Sequence, residues 1–523
     1  MNKLQRTFRA PAPFYTDGYK IGHKRMLAQG TDYLYGTWIP RSLKYAPKGV
    51  TKILSFGHQL TVRWLHSEWQ ENFFDLPKET AVKFQEDMAK YLGLPFDGSH
   101  FGELHDLGYL PIKIKALPEG IETNANIPHM TFVNTVAGFA WLTLYLETII
   151  SSLAWKPATS ATIALQYRRN LVKWVLKTDP ANMWLIDFLA HDFSARGLSP
   201  WDMLSSGLGH ASSFRGSDTI VIIPGARYFY DESDDEVAIN SVNASEHSVS
   251  TTKIFTVGEQ QMIADWLIEF PTGILSIVSD TFDLWKLITE YLPANKDAIM
   301  NREGKLVIRP DSGNPVDIIC GARIIKTNIH ADEDTVAYLG TDTAVNPDEI
   351  YLAKPEVKGV IELLWDIFGG TINENGYKVL DSHIGAIYGD SITLERQIQI
   401  YERLEEKGFA CTNIVLGIGS FTYQCNTRDT VGFAAKGAWF EANGIGYDIF
   451  KDPVTDDGTK KSLKGKIAVM YDMYEDKEYT VKTQCTDEEE NQGVLQVIYE
   501  NGNFYNQTTL TEIRGKVNTL ANE

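Results

Sequence analysis

A chain of 523 residues, 43% hydrophobic and 22% charged, has ordinary globular composition and length enough for two or three structural units. Its 49 basic and 68 acidic residues leave a net charge of −19, which opposes non-specific attraction to nucleic acid or an anionic membrane, so an anionic ligand requires a local basic pocket. The four cysteines, Cys320, Cys411, Cys425 and Cys485, are widely spaced with no C-x-x-C pair, which disfavours a zinc or redox centre and fits a reducing compartment.

The opening MNKLQRTFRAPAPFYTDGYK lacks the apolar core of a signal peptide, so a cytoplasmic protein is expected. The first 130 or so residues mix short helices with strand-like pieces such as YLPIKIKALPEG, which alternates before a Pro/Gly stop. Two helices are then predicted, Phe132 to Trp155 and Ala158 to Thr178. The first is the longest apolar stretch, but Glu147 lies inside it and no basic cluster flanks it, so it reads as a buried helix rather than a membrane span.

From about residue 185 short apolar runs (TIVIIPG, ILSIVSD, KLVIRPD, HIGAIYGD, TNIVLGIGS) alternate with helical segments such as GVIELLWDIFGG and ERQIQIYERLEEKGF, the last stopped by Gly408. That alternation predicts parallel strands with helices outside. After Gly437 strand pieces return in KIAVMYDMY, EYTVKTQC and GVLQVIYENGNF, an outer sheet that the N-terminal region could complete, while CTDEEENQ is expected to be a solvated loop.

Parallel α/β folds gather their functional groups at the C-terminal ends of the strands. Here those exits carry Ser279 and Asp280, Arg309 and Asp311, Gly389 and Asp390, and Gly417, Gly419 and Ser420. Taken alone, RPDSG is turn chemistry with a solvated ion pair. Four exits bearing Asp or Gly favour one shared mouth, with carboxylates for sugar hydroxyls or metal, glycine backbone for phosphate, and Arg309 for an anion or amide. No G-x-x-x-x-G-K-[ST] occurs, which disfavours a P-loop nucleotide triphosphatase.

Three further stretches stand out. NASEHSVS surrounds His247 with small residues that leave the imidazole accessible, and Glu246 could orient it. HDFSARG offers Phe193 as a ring to stack on a flat heteroaromatic, with Arg196 beside it. FYTDGYK adds Asp17, Tyr19 and Lys20, and Arg428, Lys436, Lys451 and Lys460 are conspicuous cations in an acidic chain, although solvated surface explains them equally well.

In this order, TDGYK, HDFSARG, FRGSDT, SEHS, SIVSDTFD, IRPDSGNP, YGD, GIGS with TRD, and GIGYDIFKDPV resemble the nicotinamide phosphoribosyltransferases, type II phosphoribosyltransferases, over about 440 residues. The resemblance implies an irregular (β/α) barrel-like catalytic domain over 156–436 and a second, sheet-rich α+β domain built from both chain ends, 1–155 and 437–523. It implies transfer of phosphoribosyl from phosphoribosyl pyrophosphate to nicotinamide in NAD salvage, giving nicotinamide mononucleotide and pyrophosphate. It also implies Mg2+ on the pyrophosphate, ATP as a coupling co-substrate, and a homodimer with active sites at the subunit interface, without nucleic acid or membrane.

By matching motif, Phe193 and a partner-supplied Tyr19 would sandwich the base, and Asp218 would accept from the carboxamide nitrogen and repel nicotinate, with Asp17 nearby. Ser276, Arg196 and Arg309 would complete the base pocket. Asp311, Gly389 and Asp390, with Asp280 at the neighbouring exit, would hold the ribose, and Gly419 with Ser420 its 5-phosphate. Arg41, Arg428, Lys436 and Lys451 would supply positive charge for phosphate and pyrophosphate. His247 matches the histidine that ATP phosphorylates in the family.

Two departures accompany the resemblance: Ser420 stands where glycine is more usual, and an apparent insertion lies between Lys326 and about Pro355. The competing readings are a nicotinate phosphoribosyltransferase, which Asp218 opposes, and a binding protein on a disused enzyme fold, which retention of His247, Asp218, Asp311 and Arg428 opposes.

Overall fold

A computed structural model describes residues 10–322, 335–339, 349–455, 461–472 and 478–523. Of the insertion it describes two antiparallel strands, Thr335–Leu339 and Glu349–Ala353. Residues 327–334 and 340–348, Lys460 and the first nine residues, on which part of the signal-peptide expectation rests, lie outside the described residues. The chain forms two compact units, one made of the chain up to Thr162, Pro224–Glu236 and Asn426–Leu520, the other of Ile163–Ile223, Val237–Cys425 and the last three residues.

The first unit is built on a seven-stranded antiparallel sheet in the order Ile445–Asp448, Phe433–Ala442, Thr31–Pro40, Met130–Asn134, Ile112–Ala116, Gln496–Glu500 and Asn503–Phe504. Strands from both chain ends therefore share one sheet. Its long central strand buries Leu34 to Pro40 continuously, and Trp38, fully buried, stacks on Phe433 with centroids 4.0 Å apart.

The second unit holds six parallel strands in the order Ala190–Asp192, Ile414–Ile418, Ile384–Tyr388, Glu303–Arg309, Thr272–Val278 and Asn243–Ala244. Single bridges, Asp192 to Ser217 and Gly216 to Asn240, continue the pairing around the curl from the first strand toward the last. The fold is thus α/β, with an irregular (β/α) barrel-like unit and a sheet-rich α+β unit made from both chain ends.

The helices follow from their apolar spacing. Leu394–Glu406 is capped by the Thr393 side chain and buries Leu394, Gln397, Ile400, Tyr401 and Leu404, and Gly408 takes φ +73° just beyond it. Val360–Phe368 buries Val360, Ile361, Leu363, Leu364 and Phe368 in the same way.

Four local expectations change. Phe132 belongs to a strand, and the two helices predicted on either side of Pro157 are one helix, Ala140–Thr178. Pro157 is tolerated inside it because dense burial around Ala154, Ala158 and Ala161 outweighs one missing hydrogen bond, and Gly57, at φ +88°, lets the chain pass against the proline ring. TIVIIPG is not a strand: its apolar residues lead into the helix Ile222–Tyr230, with Pro224 in the first turn, where no intrahelical donor is needed. CTDEEENQ contains a short helix, Asp487–Glu490, closed by a capping box between Thr486 and Glu489.

Candidate active site

Parallel register brings the strand exits to one end of the barrel-like unit, with Val278 beside Arg309 and Tyr388 beside Leu416. Two cavities meet there, sharing Phe193, Asp218 and Arg309 in their walls, and the larger runs along the barrel interior to the strand starts at Gly273, Gly304 and His383. The larger, about 820 Å³, is mostly apolar and adds Ser276; the smaller, about 570 Å³, adds Arg196, Asp311, Gly389, Asp390, Gly419 and Ser420. Ten of the sequence-derived positions therefore converge on this mouth.

Phe193 follows the buried edge Ala190–Asp192, and its N–H donates to Ile418 at 2.8 Å while the buried Asp192 carboxylate accepts from the Ser194 N–H. The neighbouring glycines make room for side chains. A Cβ at Gly417 would stand 2.4 Å from the Phe193 ring, and one at Gly389 would stand 2.9 Å from an Asp311 oxygen.

Pro310 separates Arg309, which lines both cavities, from Asp311, which lines only the smaller. Asp280 fixes this turn by accepting from the Asp311 N–H at 2.8 Å and the Ser312 hydroxyl at 2.5 Å, and Tyr388 donates to the Ser312 and Gly313 carbonyls. Burial pushes the Asp311 carboxyl up, and Asp280 and Asp390 add to this against the opposing charge of Arg309. Among the described residues, the buried polar atoms Arg309 Nε, Ser276 Oγ, Thr219 Oγ1 and Asp280 Oδ1 here make no hydrogen bond to the protein. Orphaned groups of this kind at a cavity are what a polar ligand would satisfy.

Asp218 receives two hydrogen bonds on Oδ1, one from His191 Nε2 at 3.1 Å and one from the Ser241 hydroxyl. Burial pushes its carboxyl up, but those bonds and the His191 and Arg309 charges outweigh burial and hold it below the usual carboxylate range. His247, at the start of the helix His247–Val257, has its side chain 46% exposed. The carboxylate that approaches its Nε2 is Asp280, at 3.6 Å, rather than Glu246, and Thr281 lies 3.4 Å from Nδ1, because the Thr272–Val278 exit is its neighbour in the sheet.

The remaining positions lie in the sheet-rich unit. Asp17 accepts from Thr148 at 2.6 Å, and Tyr19 is 66% exposed. Arg41 donates to the Gly432 carbonyl at 3.1 Å, and Lys436 lies 3.6 Å from Glu147, which also pairs with buried Lys20 at 2.7 Å. Burial lowers the Lys436 ammonium and Arg41 and Lys451 lower it further, opposed by Glu147, so these three cations share one field. Arg428 is more than half exposed and lies 3.8 Å from Asp429.

Sequence reasoning passed over His191, Ser241, Thr281 and Glu147. His191 was accessible to it: strand alternation puts residues 191 and 193 on one face and Asp192 on the other. The other three depend on partners distant in the chain.

Among known proteins, the model of the nicotinate phosphoribosyltransferase (NAPRTase) family matches residues 188–503. A nicotinamide phosphoribosyltransferase of Acinetobacter baylyi is 42% identical over 518 residues, covering 96% of each chain. A nicotinamide phosphoribosyltransferase of Mycoplasma pneumoniae is 31% identical, over 86% of this chain and 94% of its own. The crystal structure of human nicotinic acid phosphoribosyltransferase shares the fold, with a TM-score of 0.54 at 14% identity over 97% of this chain and 93% of that one.

Proposed function

The chain belongs to the nicotinate phosphoribosyltransferase (NAPRTase) family and is a phosphoribosyltransferase, a pentosyl-transferring enzyme, and on that basis we propose that its base is nicotinamide. The observation that carries this reading is Asp218, held ionised at the cavity wall within one mouth with Arg309 and Ser276. An ionised carboxylate only accepts, so it suits the carboxamide NH2 and opposes the carboxylate of nicotinate. Arg309 Nε and Ser276 Oγ, neither hydrogen-bonded among the described residues, are donors suited to the carboxamide oxygen. The nicotinamide phosphoribosyltransferases of A. baylyi and M. pneumoniae support the same base.

In the proposed reaction phosphoribosyl pyrophosphate occupies the smaller cavity. Asp311 and Asp390 accept ribose hydroxyls, and the Gly419–Ser420 backbone receives the 5-phosphate. Phe193 holds the base by its face, with Tyr19 of a partner subunit on the other side in a homodimer. The ring nitrogen adds to C1 as the bond to pyrophosphate breaks. Positive charge develops on the sugar in an oxocarbenium-like transition state, where the neighbouring carboxylates lower its energy. The pyridine nitrogen carries no proton, so no general base is required.

Arg41, Arg428, Lys436 and Lys451 are assigned to the phosphate and pyrophosphate charge. Among the described residues no group of three or more His, Cys, Asp or Glu side chains could hold a metal ion, so Mg2+ is assigned to the pyrophosphate as part of the substrate. The half-exposed His247 is the residue we assign to phosphorylation by ATP, coupling its hydrolysis to product yield. A cytoplasmic NAD-salvage role completes the proposal.

The test is product formation from phosphoribosyl pyrophosphate and Mg2+, comparing equal nicotinamide and nicotinate, each with and without ATP. Preference for nicotinamide and a higher yield with ATP are expected. Preference for nicotinate would remove the base assignment, and equal yields would remove the coupling.

A further inference from the structure

The carboxylate that we assign to choosing the base is itself held by two residues of the larger cavity's wall, His191, whose ring centroid lies 4.8 Å from that of Phe193, and Ser241. The Asp218 N–H donates to the Asp192 carbonyl at 3.1 Å, the Ser217 N–H to the Asn240 carbonyl at 3.1 Å, and the Asn240 N–H to the Arg215 carbonyl at 2.7 Å. These links set residues 191, 218 and 241 side by side, and His191 Nε2 and Ser241 Oγ then meet on the same Asp218 oxygen, Oδ1. Among the described residues Oδ2 receives no hydrogen bond from the protein. One oxygen of Asp218 is saturated by donors and the other is left for a ligand.

The arrangement bears on discrimination. A carboxyl that took a proton could donate to a carboxylate ligand and would tolerate nicotinate. Two donors fixed on Oδ1 disfavour that proton and orient the group, leaving Oδ2 as an acceptor. Gly216 completes the support: a Cβ there would stand 3.0 Å from His191 Nδ1, so the imidazole lies directly over this residue.

We propose that His191 and Ser241 are positioning residues that set the choice of base, holding Asp218 as a one-sided acceptor toward the carboxamide nitrogen. The proposal rests on nicotinamide being the base. Steady-state kinetics with nicotinamide and nicotinate on the unaltered enzyme, His191→Ala, Ser241→Ala, the double variant and His191→Gln test it.

In the double variant KM for nicotinamide should rise about tenfold or more, with the effect on KM rather than kcat and KM for phosphoribosyl pyrophosphate unmoved. The nicotinamide-to-nicotinate ratio of kcat/KM should fall by a similar factor. His191→Gln keeps an N–H near the Nε2 position and should recover most of the ratio. An unchanged ratio in the folded double variant overturns the proposal, as does a KM for phosphoribosyl pyrophosphate that rises equally. The mild Ser241→Ala change keeps the test open should the larger variants not fold. An unaltered enzyme that prefers nicotinate would sink the base assignment instead, before any variant is compared.

Discussion

At the scale of single residues, the site depends on side chains that are missing as much as on those present. Gly417 and Gly389 leave the space that Phe193 and Asp311 occupy. Gly417→Ala should push the Phe193 ring off its position and raise KM for nicotinamide roughly tenfold, the equivalent of about 1.4 kcal/mol of overpacking. Gly389→Ala should act instead on KM for phosphoribosyl pyrophosphate, because its clash is with Asp311. Kinetics on the two variants, with thermal melts to check folding, distinguish these outcomes; the same KM shifted in both would show that the two glycines do not serve separate substrates. The glycines of GIGS were legible as chemistry, but as phosphate backbone. Their steric use appears only when the Ala190–Asp192 and Ile414–Ile418 strands pair.

Among secondary-structure elements, the central strand of the sheet-rich unit carries a packing cluster with a pH signature. Trp38 meets the rings of His58 and His129, both fully buried, each with Nε2 on a hydroxyl (Ser55, Thr123) and Nδ1 without a partner. Burial lowers the His58 imidazole to about 3, and lowers that of His129 well below its ordinary value, aided by His58. In the unfolded chain both titrate near 6.5. Their folded values are depressed, so the unfolded state binds more protons below that pH, and stability present above 6.5 is lost as pH falls toward 3. Each histidine contributes a slope of about 1.4 kcal/mol per pH unit within the window. Urea midpoints measured at pH 7.5 and 5.5 should fall accordingly, and a His58→Gln, His129→Gln double variant should flatten the difference. An identical pH dependence in that variant would assign the acid sensitivity elsewhere. Neither histidine was legible: His58 opens the helix His58–Trp69, His129 precedes the strand Met130–Asn134 whose Phe132 the sequence reading gave to a helix, and the burial that silences both requires strands from distant parts of the chain.

The whole molecule carries a net charge of −19, yet two of the proposed substrates, phosphoribosyl pyrophosphate and ATP, are polyanions. In the sheet-rich unit Arg41, Lys436 and Lys451 share one field, restrained by Glu147, and on the proposed assignment they would meet that charge locally. Among the described residues no helix is long and apolar enough to cross a membrane. On the proposed dimer, with Tyr19 serving the partner's barrel, Tyr19→Ala and Asp311→Ala chains should each be inactive alone but complementary. Purified mixed dimers from differently tagged chains should have about half the activity of the unaltered enzyme, since one of two sites then retains both residues. Inactive mixed dimers would mean that Tyr19 serves the barrel of its own chain, and a Tyr19→Ala enzyme that stays active by itself would mean that Tyr19 serves neither barrel.

What is local in the chain was legible without coordinates. Apolar alternation and helical spacing marked four barrel strands, strand pieces near the C-terminus and the helices Val360–Phe368 and Leu394–Glu406, and the Asp, Arg and Gly residues at strand exits marked the end of the barrel where the cavities meet. Nine ordered motifs marked the family. Folding settled what depends on partners far apart in sequence. It ran one helix through Pro157, because packing there outweighs a single lost hydrogen bond. It gave Pro224–Glu236 to the sheet-rich unit, where Tyr230 donates to buried Glu119 and Phe229 accepts from Gln59. It put Asp280 beside His247, and His191 and Ser241 on Asp218. Periodicity records which face of an element is buried; which groups meet across that face is fixed only by strand register and curl, and no local stretch of sequence contains those.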